Sequence, residues 1–198
     1  MSGGLIVHLN GWPGVGKQTV GRILAEKLGA RFIHNHLLHD VAIACAGIED
    51  AARWPLYEAV CKAAYDTLAD RPRLETFVMT NALCAGSRRE RQAWDHVVDL
   101  AARRNVPLVP VVMEASFEEN ARRLGSPRRV GRKLGDPALL SEFMKSDRIQ
   151  EPDVPELLKL DVTRLSADQA AEKICDHLSA LSRSRLEPAS AKHRRFKQ

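Results

Sequence analysis

The chain has no long apolar run. None approaches the roughly 20 consecutive residues that a membrane-spanning helix needs, although 44% of its 198 residues are hydrophobic. That apolar content is therefore expected to form the core of one folded domain, with no membrane partner. The first ten residues, MSGGLIVHLN, lack the positive segment of a signal peptide and read as a strand. The chain also lacks any C-x-x-C pair. Its cysteines, Cys45, Cys61, Cys84 and Cys175, each stand in an apolar context, which predicts buried, reduced thiols in a cytoplasmic protein.

Charge is also missing where a nucleic-acid binder would need it. The formal net charge is +5, but residues 183–198 hold Arg183, Arg185, Lys192, Arg194, Arg195 and Lys197 against Glu187 alone. The preceding 182 residues therefore sum to zero. The basic excess is a polar tail expected to be disordered. Nucleic acid is not an expected partner, except weakly through that tail.

Apolar runs alternate with segments of helical periodicity, which predicts an α/β fold with a parallel sheet covered on both faces. Strands are expected at residues 4–10, 30–34, within 74–83, at 106–114 and at 157–163. Pro107 and Pro110 weaken the early half of the fourth. Helices are expected at 17–28 (Val20, Ile23, Leu24 and Leu28 inward), 35–47, from Trp54 onward, 87–104, 116–124, 138–147 and 166–181. The helix opened by Trp54 and Pro55 presents Leu56, Val60, Ala63 and Ala64 as its apolar stripe. The 87–104 helix presents Ala93, Val97 and Leu100. The final helix, capped by Ser166, presents Ala170, Ile174 and Leu178.

The strongest signal is LNGWPGVGKQT, residues 9–19. It has the spacing G-x-x-x-x-G-K and lies between a predicted strand and a predicted helix, the context a phosphate-binding loop requires. Gly11, Gly14 and Gly16 free the backbone to turn its N–H groups inward, Trp12, Pro13 and Val15 fill the loop, and the helix start adds a positive pole. Lys17 contributes a full charge for β- and γ-phosphates. The hydroxyl expected after the lysine is absent, however. Gln18 stands there, and Thr19 follows one place late. The Gln18 carbonyl is a weak ligand for Mg²⁺, which also accepts indirect ligation through water.

GWPGVGKQT resembles the adenylate-kinase form of the loop, G-x-P-G-x-G-K-G-T, which likewise has no hydroxyl directly after its lysine. The resemblance to small P-loop kinases runs through most of residues 4–181 and includes the closing segment LKLDVTRLSADQAAEKI. Shikimate and gluconate kinases, and antibiotic-modifying kinases such as the tunicamycin-resistance and chloramphenicol-phosphotransferase proteins, look nearest. The resemblance implies a three-layer P-loop domain over residues 1–182, with a five-stranded parallel sheet in the order 2-3-1-4-5. It implies a helical acceptor flap over about 36–70 and a lid over about 125–137. It implies ATP and Mg²⁺ as cofactors, a phosphate contact for Thr19, and transfer of the γ-phosphate to a hydroxyl of a small-molecule acceptor. Arg128, Arg129 and Lys133 are the expected lid cations that neutralise the transferring phosphoryl group. Arg122 and Arg123 are expected to do no more than cap the preceding helix.

The acceptor side departs from that family. Its usual Asp after the second strand is matched here by Asn35, which orients a hydroxyl but takes no proton. His34, His36, His39 and Asp40 surround it. His36 and Asp40, four apart on a helix, share a face and join Asn35 as the residues expected to position the acceptor. A polar helix start is the plainer reading of the cluster, and a dedicated metal site lacks the usual Cys or Glu partners. Arg88 and Gln92 have the spacing with which nucleoside-monophosphate kinases read a monophosphate and its base, but Thr80-Asn81 stands where that family has Asp-Gly. A nucleoside-monophosphate kinase, and a nucleotide-binding switch or nucleic-acid-associated ATPase using the tail, are the alternative functions. Either a monomer or a homodimer fits the sequence.

Overall fold

The structure is a computed structural model that describes residues 3–125 and 136–186. Five parallel strands lie in the order β2-β3-β1-β4-β5. They are β1 (Ile6–Asn10), β2 (Arg31–His34), β3 (Phe77–Thr80), β4 (Leu108–Glu114) and β5 (Leu158–Asp161). Registers such as Ile6 with Phe77 and Leu108 on either side bring the strands level, so their C-terminal ends form one edge. The helices are α1 (Lys17–Leu28), α2 (His36–Ala46), α3 (Arg53–Ala69), α4 (Arg88–Arg104), α5 (Phe117–Leu124), α6 (Pro137–Ser146) and α7 (Ala167–Leu186).

Strand periodicity divides the core into two layers. On one face Val7, Leu9, Val78, Val111 and Met113 pack against Val20 and Leu24 of α1 and Ala170, Ile174 and Leu178 of α7. On the other, Ile6, Phe77 and Met79 pack against Tyr65 and Leu68 of α3 and Val97 and Leu100 of α4. Each fully buried Leu, Val, Phe or Met contributes about 1.5–3 kcal/mol by leaving water. Because both faces are covered, every residue of β1 is buried, the apolar Ile6, Val7 and Leu9 and the polar His8 and Asn10 alike.

Pro110 is tolerated inside β4 for a geometric reason. Ile6 N–H donates to the Pro107 carbonyl and Val162 N–H to the Glu114 carbonyl. Odd-numbered residues of β4 therefore bond toward β1 and even-numbered ones toward β5. The donor Pro110 lacks would face β5, and that pairing begins only at Val111.

Several expectations need correction. In α3 the buried stripe is Tyr57, Cys61, Tyr65 and Leu68; Leu56, Val60 and Ala64 are half-buried and Ala63 is exposed. The large aromatics take the inward face because they bury more area. Ala93 is only half-buried, and Arg104 instead completes the inner face of α4. Its guanidinium lies over Phe77 and donates to the carbonyls of Leu68, Arg71, Pro72 and Glu75, closing the turn after α3. Of the cysteines only Cys61 is buried; Cys84 and Cys175 are half-buried and Cys45 is exposed, all as free thiols. Finally, α7 runs to Leu186, so residues 183–186, read as tail, continue the helix, while 187–198 lie outside the described residues.

Candidate functional site

At β1 the connections change direction: β1 is flanked by β3 and β4, not by β2. Such a switch point opens a crevice at the C-terminal strand ends, where α/β proteins place ligands. The glycine loop sits there. Gly14 (φ 95°) and Gly16 (φ 103°) have left-handed backbone, which L side chains rarely adopt. Gly16 caps α1 with no side chain of its own, so the amides of the first turn are directed at the loop interior. A Cβ at Gly14 would strike Asn120 Oδ1 and stand 2.9 Å from Leu124 Cγ. The loop thus presses on α5, where Asn120 Oδ1 is buried with no hydrogen-bond donor among the described residues. Lys17 Nζ donates to the carbonyls of Gly11 and Trp12 (2.9 Å), which holds the ammonium across the loop mouth. Val15 is buried, Trp12, Pro13 and Gln18 are half-buried, and Thr19 is exposed.

Arg123, read from sequence as a mere helix cap, is built into this site. Its Nη1 donates to the Val15 carbonyl (3.0 Å) and its Nη2 to the Val162 carbonyl (2.8 Å). Glu119 grips the same guanidinium through Nε (2.6 Å). Hydrogen bonds from Arg122 and Arg123, with their positive charges, pull the Glu119 carboxyl down to about 2. The strap ties the phosphate loop to the turn after β5. Its one sequence signal is the Glu–Arg spacing of four on α5. Arg122, by contrast, pairs with Glu119 alone among the described residues and stays exposed. The expected lid residues Arg128, Arg129 and Lys133 lie outside the described residues.

Asn10, closing β1, fastens the floor of the crevice. It exchanges bonds with Leu83 in both directions and donates to the Gln150 carbonyl. The segments after β3 and α6 then pair across Cys84 and Ile149. Beside Trp12 this leaves a cleft of about 490 Å³, lined by Glu114, Met144, Asp147, Ile149 and Gln150 among others. Glu90 accepts the Cys84 amide, and burial raises its pKa. Burial, with Glu90 and Asp147 nearby, pushes the Cys84 thiol up to about 12, which favours the protonated thiol. At the end of β3, Asn81 Oδ1 accepts from His8 Nε2 (3.0 Å), so this amide turns into the core and away from the crevice. Burial holds His8 neutral, with a pKa lowered to about 4.

On the other side of the loop, α2 and α3, the helices expected to form an acceptor flap, pack together through Ala42, Tyr57 and Cys61. Asn35 starts α2, its amide donating to the Thr80 carbonyl, and its Oδ1 accepts from the Tyr57 hydroxyl (2.7 Å). His39 stacks on Tyr57 with centroids 3.9 Å apart, and Trp54 meets both rings edge-on. His36 and Asp40 are half-buried on the first turns of α2. No group of three or more His, Cys, Asp or Glu side chains suited to a metal is found among the described residues, so the histidines do not assemble one. Arg88 and Gln92 stand exposed on α4. Arg89 of that helix reaches the start of α3, its guanidinium 3.9 Å from the Trp54 ring centroid, while His96 and Arg103 meet α3 further along, at Tyr65 and Asp66. Trp54 and Tyr57, three apart on α3, meet within one helix, but sequence periodicity had no signal for Arg89 over Trp54, which meet only when α3 and α4 come together.

No family model matches the chain, and no curated protein does. Solved structures do resemble it. A gluconokinase from Sinorhizobium meliloti 1021 is 23% identical, with 92% of this chain and 95% of that chain covered, at a TM-score of 0.59. The tunicamycin resistance protein of Deinococcus radiodurans is 17% identical over 88% and 95%, at 0.60. The APS kinase of Mycobacterium tuberculosis, in complex with AMPPNP and APS, is 20% identical over 90% and 99%, at 0.57. These likenesses show the fold alone, an α/β domain; its strand order, 2-3-1-4-5, is the one the family resemblance implied.

Proposed function

We propose that the protein is an ATP-dependent kinase that transfers the γ-phosphate to a hydroxyl of a small molecule. The observation that carries this reading is the loop itself. Left-handed Gly14 and Gly16, the N-terminus of α1 and Lys17 converge at the switch point of a kinase fold. The kinase neighbours, one of them in complex with AMPPNP, support the nucleotide.

In this reading the amides from Gly14 to Thr19 hold the polyphosphate and Lys17 swings from its loop carbonyls to the phosphates. The acceptor oxygen forms a bond to the γ-phosphorus as the bond to the ADP oxygen breaks, and the acceptor proton leaves to solvent or a neighbouring base. Such a transfer asks mostly for positioning and charge neutralisation. An orienting amide at Asn35, held by Tyr57, therefore suffices in place of a carboxylate. Arg128, Arg129 and Lys133 would neutralise charge from the lid, and His36 and Asp40 would line the acceptor side. Mg²⁺ would offset polyphosphate charge. Gln18, on the first turn of α1 and bearing only an amide carbonyl, fits a water-mediated ligand better than a direct one.

The test is ADP release from Mg·ATP with a panel of sugar acids, hydroxy acids, nucleoside monophosphates and hydroxyl-bearing antibiotics. Lys17→Ala serves as control. Acceptor-dependent turnover that falls at least about tenfold in the variant is expected, since a charge-assisted phosphate contact is lost. Turnover indifferent to Lys17 would sink the assignment.

A further inference from the structure

A surface helix ordinarily turns polar residues outward, and one that is apolar all round is normally buried. Helix α2 departs from that pattern. Its inner side, Leu38 and Ala42, packs against Tyr57 and Cys61 of α3. Its exposed residues are Leu37, Val41, Ala44 and Cys45, and none of them carries a charge. Ile48, just past the helix end, extends the row. It is 52% exposed, Leu37 50% and Val41 45%. From Leu37 through Val41 and Ala44 to Ile48 the spacing is four, three and four, which sets these side chains along one side over about three turns. On the helix the row lies opposite His39, which meets Trp54 and Tyr57. It therefore looks away from that aromatic cluster.

The two ends of the row complement each other in charge. The first turn of α2 holds no acid, and Asn35 gives it no side-chain cap, its Oδ1 accepting from Tyr57 instead. The last turn holds no base. Exposed Glu49 and Asp50 follow it, at the negative pole of the helix dipole, where acids are unfavourable. Asp50 accepts the Ala52 amide, and neither acid is in an ion pair among the described residues. Laid antiparallel on a second copy, each helix brings its acidic end to the positive pole of the other. Laid parallel, like poles and like charges meet.

We propose that this face pairs two copies of the chain, through antiparallel α2 helices about a two-fold axis that passes between Val41 and Ala44. Self-complementary two-fold pairing is the commonest symmetry of soluble oligomers. In this register Leu37 meets the partner's Ile48 and Val41 the partner's Ala44, a larger side chain on a small one, so the helices approach closely. One helix pair covers less than the roughly 800 Å² per partner of a standard stable interface. The dimer therefore forms reversibly, with concentration. Because the row looks away from Trp54 and Tyr57, pairing leaves that cluster open in both copies, and it does not depend on the kinase reading.

Sedimentation equilibrium of the full-length protein over a wide range of concentration tests the pairing. A reversible monomer–dimer equilibrium is expected. Val41→Lys, which sets two like charges beside the axis, is expected to weaken it at least about tenfold. Glu49→Lys, which brings a cation to the partner's positive pole, is expected to weaken it several-fold. Both positions are exposed, so circular dichroism and thermal melting of each variant should match wild type. A protein that stays monomeric at every concentration overturns the proposal and leaves the face to a different protein. A dimer indifferent to Val41→Lys overturns it too, since its interface lies elsewhere. Cross-linking reads the direction. Leu37→Cys and Ile48→Cys proteins, each also carrying Cys45→Ser, are mixed and treated with a short bis-maleimide, and the linked peptides are identified by mass spectrometry. A link from position 37 of one chain to position 48 of the other is expected. Links from 37 to 37 mean parallel helices, and these, or no link at either position, overturn the pairing.

Discussion

The guanidinium of Arg123 donates to the carbonyl of Val15, 3.0 Å away in the middle of the phosphate loop, although 108 residues separate them in sequence. With its second bond, to Val162, it makes the loop and the turn after β5 one unit. Hydrogen bonds to charged groups contribute about 1.5–3 kcal/mol each. Arg123→Gln is expected to raise the KM for ATP about tenfold and to lower the melting temperature. Arg122→Gln, which removes an exposed pair, is expected to leave both nearly unchanged. Equal effects of the two would remove Arg123 from the site.

Gly14→Ala tests the close approach of loop and α5. The added methyl meets Asn120 Oδ1 and Leu124 Cγ, and the backbone at φ 95° is strained for any L residue. A cost of about 1–3 kcal/mol is expected, together with loss of nucleotide binding. Adding Asn120→Ala removes the collision with Oδ1 but leaves the contact with Leu124 Cγ and the backbone strain. Denaturant unfolding should therefore show partial recovery of stability in the double variant, and full recovery would refute the backbone argument.

Asn35 and Tyr57 make a third test. Tyr57→Phe removes the donor that fixes the Asn35 carbonyl, at a cost near 1 kcal/mol in stability. Its larger expected effect is a several-fold loss of acceptor-stimulated turnover. Asn35→Ala leaves a buried hydroxyl without its acceptor, a penalty of about 1–3 kcal/mol. Asn35→Asp keeps an acceptor for Tyr57 and supplies a base, so turnover equal to or above that of wild type is expected. A large fall in Asn35→Asp would show that the amide N–H₂, not the oxygen, does the positioning.

Stability should depend on pH through His8. Its pKa is about 4 in the fold and near 6.5 in the unfolded chain. Above pH 6.5 both states are neutral and the contribution is complete. As pH falls from 6.5 toward 4, the unfolded chain takes up a proton that the folded state refuses. Stability then drops by about 1.4 kcal/mol per pH unit, roughly 3 kcal/mol in all. Half-buried His39, lowered likewise, acts in the same direction and more weakly. Urea unfolding at pH 7.5, 5.5 and 4.5 should show this slope in wild type and a shallower one in His8→Gln, which cannot titrate. Parallel slopes would mean that His8 is not the group responsible.

The sequence by itself determined the elements and the loop. Helix α1 begins at Lys17 and ends at Leu28, as its periodicity and Gly29 required, and the inward positions read for α7, Ala170, Ile174 and Leu178, reach the core. These are local features: spacing within a turn or two, a cap, a strand pattern. The phosphate loop is local as well, since its glycines, lysine and helix start are consecutive. The tertiary structure decided everything that joins residues far apart. The Arg123 strap, the Asn10 clasp on Leu83 and Gln150, the inward turn of Asn81 to His8, and Arg89 over Trp54 have no periodic signature. Each depends on which element lies beside which. Even within α3, composition could not say that Tyr57 and Tyr65 would displace Leu56 and Val60 from the inner face. That choice rests on the space left by α4 and the sheet, which exists only once they have packed.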